Sequence, residues 1–292
     1  MQQNRHNRTA VSCLATGLGL VITLACTPPD PSSRTQFFPK KEMNPAMLPS
    51  PEHVWVFMLA GQSNMAGRGQ VEPQDTIPHE RVFTINERGD VILAQEPLHF
   101  YEEALTGLDC GLSFGKTVVG GLPDSLSVLL IPTAVGGSSL RQWLEDSVHR
   151  SVPLFTNFQE KVAIGKQYGK IKAILWHQGE SDANETDLPY YQGRLSRVFT
   201  NFRETVGDRT LPILIGELGS FSGDEHWAEV NRQLAQYVSH DRHATLIATQ
   251  DLKDKGDHIH FDSESQRLLG KRLATAFLER WAAPDVPPGH EE

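Results

Sequence analysis

Five short apolar runs, separated by longer amphipathic segments, constrain the fold of this 292-residue sequence more than any other feature. The runs are rich in Val, Ile and Leu and are about as long as a strand that is buried on both faces. This alternation is typical of βαβ units, and it predicts an α/β domain with a largely parallel sheet between two layers of helices. The predicted strands cover residues 54–59, 126–131, 171–176, 211–215 and 245–248, and the predicted helices cover residues 111–119, 153–168, 190–206, 227–239 and 263–281.

One insertion interrupts this alternation. Residues 81–86 and 91–95 flank Glu87-Arg88-Gly89-Asp90, which predicts a small β-hairpin. The final helix is expected to begin with Ser263 as its cap and Gln266 at the capping-box position. No internal repeat or second domain is evident, so we expect one folded domain over residues 53–282, followed by a flexible tail over residues 283–292.

The N-terminal residues have the layout of an export signal. A cationic segment with Arg5 and Arg8 precedes an apolar run over residues 10–24, which is short for a bilayer-spanning helix. The run ends in Thr-Leu-Ala-Cys, which resembles a bacterial lipobox with Cys26 as the lipidated residue, although Leu is commoner than Thr23. The alternative is an ordinary cleavage site near Ala25. Residues 1–25 are therefore predicted to be a lipoprotein signal, and either reading predicts export.

If residues 23–26 form a lipobox, the protein is expected to be anchored to a membrane. A lipid on Cys26 would hold the protein to a membrane, on the periplasmic face or at the cell surface. Residues 26–52 are rich in Pro and are predicted to be an extended tether. If Cys26 is acylated, Cys110 is the one remaining thiol of the exported chain, and no intramolecular disulfide can form.

Charge and composition narrow the class of partner. The formal net charge is −9 and no Lys/Arg-rich stripe is present, which argues against nucleic acid as a partner. The acidic balance suits a neutral substrate such as a glycan. The sequence leaves the oligomeric state open.

Two segments carry the groups that a serine esterase needs. Ser63 follows the first predicted strand between glycines that permit a sharp turn, although Met65 breaks the G-x-S-x-G pattern and a helix-cap role remains open. Asp257 and His260 lie three residues apart before the final helix, close enough for the carboxylate to orient the imidazole. His258 is the competing base, and a solvated loop is the alternative for the whole segment.

Two other strand ends offer donors for an oxyanion. Gly136-Gly137 lets backbone N–H groups approach a substrate, and Gln178 offers a side-chain amide, although each of these could also be an ordinary turn or a solvated side chain. His177 could join the Asp257 segment in holding zinc, but the spacings typical of zinc ligands do not occur. The sequence therefore predicts no metal and no cofactor.

Four motifs together resemble the SGNH-hydrolase superfamily, and within it the carbohydrate esterases of the sialate O-acetylesterase and acetylxylan esterase type. They are G-Q-S-N-M at residues 61–65, V-G-G-S-S-L-x-x-W at residues 135–143, W-H-Q-G-E-S-D at residues 176–182 and D-x-x-H at residues 257–260. The resemblance covers about residues 53–282. It implies a flavodoxin-like, three-layer α/β/α sheet of the SGNH type.

The resemblance also implies roles for individual residues. Ser63 would be the nucleophile, His260 the base and then the acid, and Asp257 the residue that orients it. The remaining site residues are expected to hold the oxyanion or to bind and orient the substrate; they are Gln62, Asn64, Gly136, Gly137, Gln178 and Glu180.

The implied activity is removal of O-acetyl groups from carbohydrates through an acetyl-enzyme. Two other functions stay open: a non-catalytic, glycan-binding surface lipoprotein of the same fold, and a lipase or thioesterase. The acetylated carbohydrate itself is not identified by the sequence, because specificity lies in loop geometry.

Overall fold

The computed structural model describes residues 34–282. The predicted signal over residues 1–25, the lipidation site Cys26 and the predicted tail over residues 283–292 lie outside the described residues. Between residues 34 and 282, none of the helices is long and apolar enough to cross a bilayer.

A seven-stranded sheet forms the centre of the domain, in the order β3-β2-β4-β1-β7-β8-β9. Every neighbouring pair is parallel except β2 and β3, which form the predicted antiparallel hairpin. Without that hairpin the strand order is the flavodoxin-like 2-1-3-4-5, so the predicted fold class is confirmed. The seven strands are β1 Val54–Gly61, β2 Val82–Ile85, β3 Val91–Leu93, β4 Ser127–Pro132, β7 Lys170–His177, β8 Ile213–Gly216 and β9 Ala244–Ile247.

Helices cover both faces of the sheet. The five predicted helices are present, and their ends and those of the five predicted strands differ from the expectations by at most two residues. The helices are α1 Ser63–Ala66, α2 Gly111–Gly120, α3 Leu140–Leu144, α4 Leu154–Tyr168, α5 Tyr191–Val206, α6 Glu225–His240 and α7 Ser263–Trp281. Short 3-10 helices occur at Pro51–His53, Pro73–Thr76, Leu188–Tyr190 and Ser220–Ser222.

Strand β1 divides two hydrophobic cores. Its side chains alternate between the faces of the sheet, as the pleat requires, so that Val56 and Met58 enter one core while Phe57 and Leu59 enter the other. Helices α4, α5 and α6 cover the first core, and α2 and α7 cover the second. A strand buried on both faces must be apolar at every position, which explains the unbroken apolar run in the sequence.

Two details of the sequence prediction are corrected. The cap of α7 is Asp262, whose carboxylate accepts from the Ser265 N–H at 2.8 Å, whereas the Ser263 hydroxyl donates to the Gln70 carbonyl. A second, unpredicted hairpin joins β5 Val148–His149 to β6 Val152–Pro153. Its turn residues Arg150 and Ser151 both have positive φ, a conformation for which Asn or Gly is the usual signal.

The described part of the predicted tether, residues 34–52, contacts the domain. The N–H of Leu93 in edge strand β3 donates to the Met43 carbonyl at 2.8 Å, and Arg88 forms an ion pair with Glu42 at 3.0 Å. Arg34 donates to the Glu103 carbonyl at 3.1 Å. These contacts cover part of an exposed sheet edge. The domain boundary at residue 53 stays a prediction.

We predict that a chain beginning at residue 51 folds but is less stable than one beginning at residue 34. The shorter chain keeps both cores but loses the contacts of Met43, Glu42 and Arg34. The free energy of unfolding, measured by urea denaturation, should fall by about 1–3 kcal/mol. Equal stability of the two chains would contradict this prediction.

Candidate active site

The turn that carries Ser63 depends on the close approach of β1 and β7. Gly61 has a φ of +134°, and a Cβ atom there would lie 2.1 Å from the His177 carbonyl oxygen. The Gln62 N–H donates to that same oxygen at 2.9 Å. Because only glycine fits this approach, the chain leaves β1 in a sharp turn and Ser63 begins α1 beyond the sheet edge.

The loop before α7 brings a histidine and an aspartate to this serine. His260 Nε2 lies 3.0 Å from Ser63 Oγ, and His260 Nδ1 lies 2.7 Å from Asp257 Oδ2. The three side chains therefore form a continuous hydrogen-bonded relay, with Nδ1 assigned as the donor to Asp257.

Asp257 is held as a carboxylate. Burial alone would raise its pKa, but the hydrogen bond from the His260 ring and those from the backbone N–H groups of His260 and Ile259 outweigh burial. They lower the pKa of Asp257 to about 2. A carboxylate that stays ionised at neutral pH can stabilise an imidazolium on His260.

Asn64 joins the serine turn to the histidine loop. Its amide nitrogen donates to the Ile259 carbonyl at 3.1 Å, and its amide oxygen accepts from the Phe261 N–H at 3.0 Å. The same nitrogen donates to Glu180 Oε1 at 2.7 Å. Asn64 thus holds the residues on both sides of His260, and Glu180, whose side chain is 6% exposed, holds Asn64. Both residues are therefore candidates for positioning His260.

The loop after β4 presents Gly137 at the same edge of the sheet. Gly137 is exposed and has a φ of +77°, whereas the Gly136 N–H is turned inward and donates to Glu102 Oε2 at 2.6 Å. Within the described part of the chain, the N–H groups of Ser63 and Gly137 donate no hydrogen bond. These two groups are therefore available to an oxyanion.

The structure contradicts the expectation that Gln178 is an oxyanion donor. Its side chain is 0% exposed, and its two amide hydrogens go to the Ser138 carbonyl at 3.2 Å and to Asp182. Asp182 in turn accepts from the Leu140 N–H at 2.9 Å. Gln178 therefore ties the loop after β7 to the start of α3 and has no hydrogen left for a substrate.

Within the described residues, the side-chain amide of Gln62 is bonded through its oxygen atom alone. Its side-chain oxygen accepts from the N–H groups of Gly179 and Ser181 at 3.5 and 3.2 Å, which fixes the orientation of the amide. Among residues 34–282, nothing accepts a hydrogen bond from its Nε2 atom. Gln62 is 3% exposed, and its oriented amide keeps an unpaired nitrogen on the residue next to Ser63.

The competing histidines take other positions. His258 has a side chain that is 75% exposed, and its nearest acidic partner is Asp254 at 3.9 Å. His177 is buried, its Nε2 donates to the Glu217 carbonyl at 2.9 Å, and its pKa is lowered chiefly by burial. Within residues 34–282, no three His, Cys, Asp or Glu side chains are grouped as metal ligands.

Sequence reasoning missed the residues that hold the loop after β4, which carries Gly136 and Gly137. Glu102, which accepts from the Gly136 N–H, pairs with Arg68 at 2.8 Å and with Arg150 at 2.6 Å. Burial would raise the pKa of Glu102, but the charge of Arg68 and the hydrogen bonds outweigh it and lower that pKa. These residues lie far apart in the sequence and belong to no recognised motif, so no local pattern could identify them.

Comparisons with known proteins give a family and a relative for this chain. A family model described as a carbohydrate esterase, sialic acid-specific acetylesterase, matches residues 53–279. The chain is 29% identical over 247 residues to a protein of Arabidopsis thaliana described as a probable carbohydrate esterase, covering 77% of this chain and 91% of that protein.

Solved structures give the same architecture. A crystal structure of an Arabidopsis thaliana protein superposes with a TM-score of 0.69 at 27% identity, covering 78% of this chain and 99% of that one. The protein NanS gives a TM-score of 0.64 at 17% identity over 80% of this chain and 99% of that chain. A carbohydrate acetylesterase from Xanthomonas citri gives 0.58 at 18% identity over 78% of this chain and 56% of that one. The last two similarities concern the fold alone.

We predict that Asn64→Ala lowers kcat on an acetyl ester while changing KM little. The substitution removes the bonds to Ile259 and Phe261, so His260 is no longer held over Ser63. We expect a loss in kcat of about 10- to 100-fold. Each buried partner left unpaired should also cost about 1–3 kcal/mol of stability.

The matched control is Asn184→Ala, which removes an amide bonded within the loop over residues 181–187 and not to the His260 loop. Steady-state kinetics and thermal unfolding separate the two effects. An Asn64→Ala enzyme with the wild-type kcat would show that Asn64 does not position His260.

Proposed function

Because the chain belongs to the carbohydrate esterase family of sialic acid-specific acetylesterases, we propose that it removes O-acetyl groups from carbohydrates by a serine mechanism. The family makes it a carboxylic ester hydrolase. The observation that carries the mechanism is the relay of Ser63 Oγ, His260 and Asp257, with contacts of 3.0 and 2.7 Å.

The first half of the reaction acetylates the enzyme. His260 Nε2 takes the proton from Ser63 Oγ as that oxygen bonds to the acetyl carbonyl carbon, and the carbonyl oxygen becomes an oxyanion. Collapse of this tetrahedral intermediate breaks the bond to the sugar oxygen. The sugar oxygen leaves with the proton from His260, and the acetyl group remains on Ser63.

The second half releases acetate. His260 takes a proton from a water molecule as the water oxygen attacks the acetyl carbon, and collapse of the second intermediate returns a proton to Ser63 Oγ. Asp257 stays ionised throughout, since its pKa is about 2, and stabilises the imidazolium in both halves.

The oxyanion needs donors that are free and already oriented. We assign three: the N–H groups of Ser63 and Gly137 and the Nε2 amide of Gln62. The support is that these donors lie at adjoining strand ends and have no partner among residues 34–282, whereas Gln178 has both of its amide hydrogens in use.

We predict that Ser63→Ala and His260→Ala each lower kcat by roughly three to six orders of magnitude, because each removes an indispensable part of one relay. The double variant should be little worse than either single variant, since a relay that lacks one member cannot lose much more. Release of 4-nitrophenol from 4-nitrophenyl acetate and of acetate from acetylated sugars measures these effects.

His258→Ala is the matched control, because His258 lies two residues from His260 but is exposed and does not contact Ser63. It should keep most of the activity. Near-wild-type turnover by Ser63→Ala, or equal damage from His258→Ala and His260→Ala, would refute the proposed mechanism.

A further inference from the structure

A cluster of three charges, two of them buried, lies beside the loop after β4 that carries Gly136 and Gly137. Arg68 and Glu102 form a buried ion pair at 2.8 Å, and Arg150 pairs with the other carboxylate oxygen of Glu102 at 2.6 Å. Two guanidinium groups therefore share one carboxylate. In the described part of the chain, Arg150 forms no ion pair with any other acidic side chain. The cluster carries one uncompensated positive charge.

Arg150 is the member of this cluster that faces solvent. Its side chain is 43% exposed, whereas those of Arg68 and Glu102 are 6% and 4% exposed. The uncompensated charge is thus accessible to a ligand at Arg150. A guanidinium in this setting favours a carboxylate, because its planar N–H donors match the carboxylate oxygens.

The position of Arg150 places this charge beside the reacting group. The neighbouring His149 ring contacts the Gly136 carbonyl at 2.9 Å, so the tip of the β5–β6 hairpin lies against the loop after β4. A Cβ atom built on Gly137 would lie 3.8 Å from the Arg150 guanidinium. A substrate whose carbonyl oxygen reaches the Gly137 N–H therefore has its sugar within reach of Arg150.

The hairpin turn is built at a cost in free energy. Arg150 and Ser151 have φ values of 49° and 66°, and residues other than glycine rarely adopt this left-handed conformation. The contacts of His149 and Arg150 with the loop after β4 and Glu102 hold the turn in this conformation. The turn therefore keeps the guanidinium at one place over the site.

We propose that Arg150 binds a carboxylate on the sugar and makes this enzyme selective for acetylated acidic sugars. The inference rests on the proposed esterase function and adds to it a subsite that binds the carboxylate of the sugar. The carboxylate could belong to a nonulosonic acid, where it lies on the anomeric carbon, or to a uronic acid, where it lies at C6. The chemistry recognised by Arg150 is the same for both.

Two matched pairs of esters test the proposal. One pair is an O-acetylated sialic acid and its methyl ester, and the other is an acetylated methyl glucuronoside and the corresponding glucoside. For one of the two pairs, the kcat/KM of the wild-type enzyme should be at least about fivefold to tenfold higher for the charged ester than for the neutral ester. The pair that shows this difference identifies the source of the carboxylate.

Arg150→Gln should abolish this preference, chiefly by raising KM for the charged ester, and Arg150→Lys should keep part of it. Arg232→Gln is the control, because Arg232 is an exposed arginine on α6 that pairs within its own helix. The control should leave the preference unchanged. Added salt should weaken the preference of the wild-type enzyme.

The outcomes are separable from those of the proposed function. The proposal fails if Arg150→Gln lowers activity equally on both members of each pair. It also fails if the wild-type enzyme does not prefer the charged ester in either pair, because Arg150 then does not recognise the carboxylate. If the wild-type enzyme hydrolyses no ester, including 4-nitrophenyl acetate, the proposed function fails.

In that last case the subsite is tested by calorimetric titration of Ser63→Ala with free sialic acid, glucuronate and glucose. Binding of an acidic sugar that is lost in Ser63→Ala/Arg150→Gln supports the subsite. Equal binding of the acidic and neutral sugars, or no binding, overturns it.

Discussion

The contact between the ends of β1 and β7 is the constraint on which the rest of the site depends. A side chain at Gly61 would overlap the His177 carbonyl, so the two strands can run this close only with glycine at that position. The N–H of Gln62 closes the contact and turns the chain outward at Ser63. A parallel sheet of this order brings the ends of β1, β4 and β7 to one edge, where side chains from distant parts of the sequence can meet.

Polar side chains then join the loops at that edge into one unit. Asn64 connects the serine turn with the histidine loop, Gln178 and Asp182 connect the loop after β7 with α3, and Glu102 holds the Gly136 N–H. These side chains are buried and hydrogen-bonded, which fixes the relative positions of the proposed nucleophile, base and oxyanion donors before a substrate binds. Such preorganisation is the main way in which a site of this kind lowers a reaction barrier.

The sequence predicted the fold and the contact between Asp257 and His260 because both follow from local patterns, whereas the meeting of Ser63 with His260 was implied by the family resemblance. A strand buried on both faces requires an unbroken apolar run, and the Asp257–His260 spacing allows a local turn to join the carboxylate to the ring. Contacts between segments that are distant in the sequence leave no local pattern from which they could be predicted. Gln62 and not Gln178 keeps an unpaired amide nitrogen for the proposed oxyanion site, and this depends on which hydrogen bonds form after folding. The β5–β6 hairpin was missed because its turn residues, Arg150 and Ser151, are not those usually found at positive φ.

The central claim is that Ser63 carries the acetyl group during the reaction, and rapid acid quenching during turnover of 4-nitrophenyl acetate tests it most directly. Mass spectrometry of the digested protein should find one added acetyl group on the peptide that contains Ser63, and none on that peptide from Ser63→Ala or His260→Ala. The acetylated peptide should disappear once the substrate is exhausted, because water releases the acetyl group in the second half of the reaction. Turnover with the acetyl group on a different residue, or with no acetylated peptide at any time during the reaction, would contradict the account.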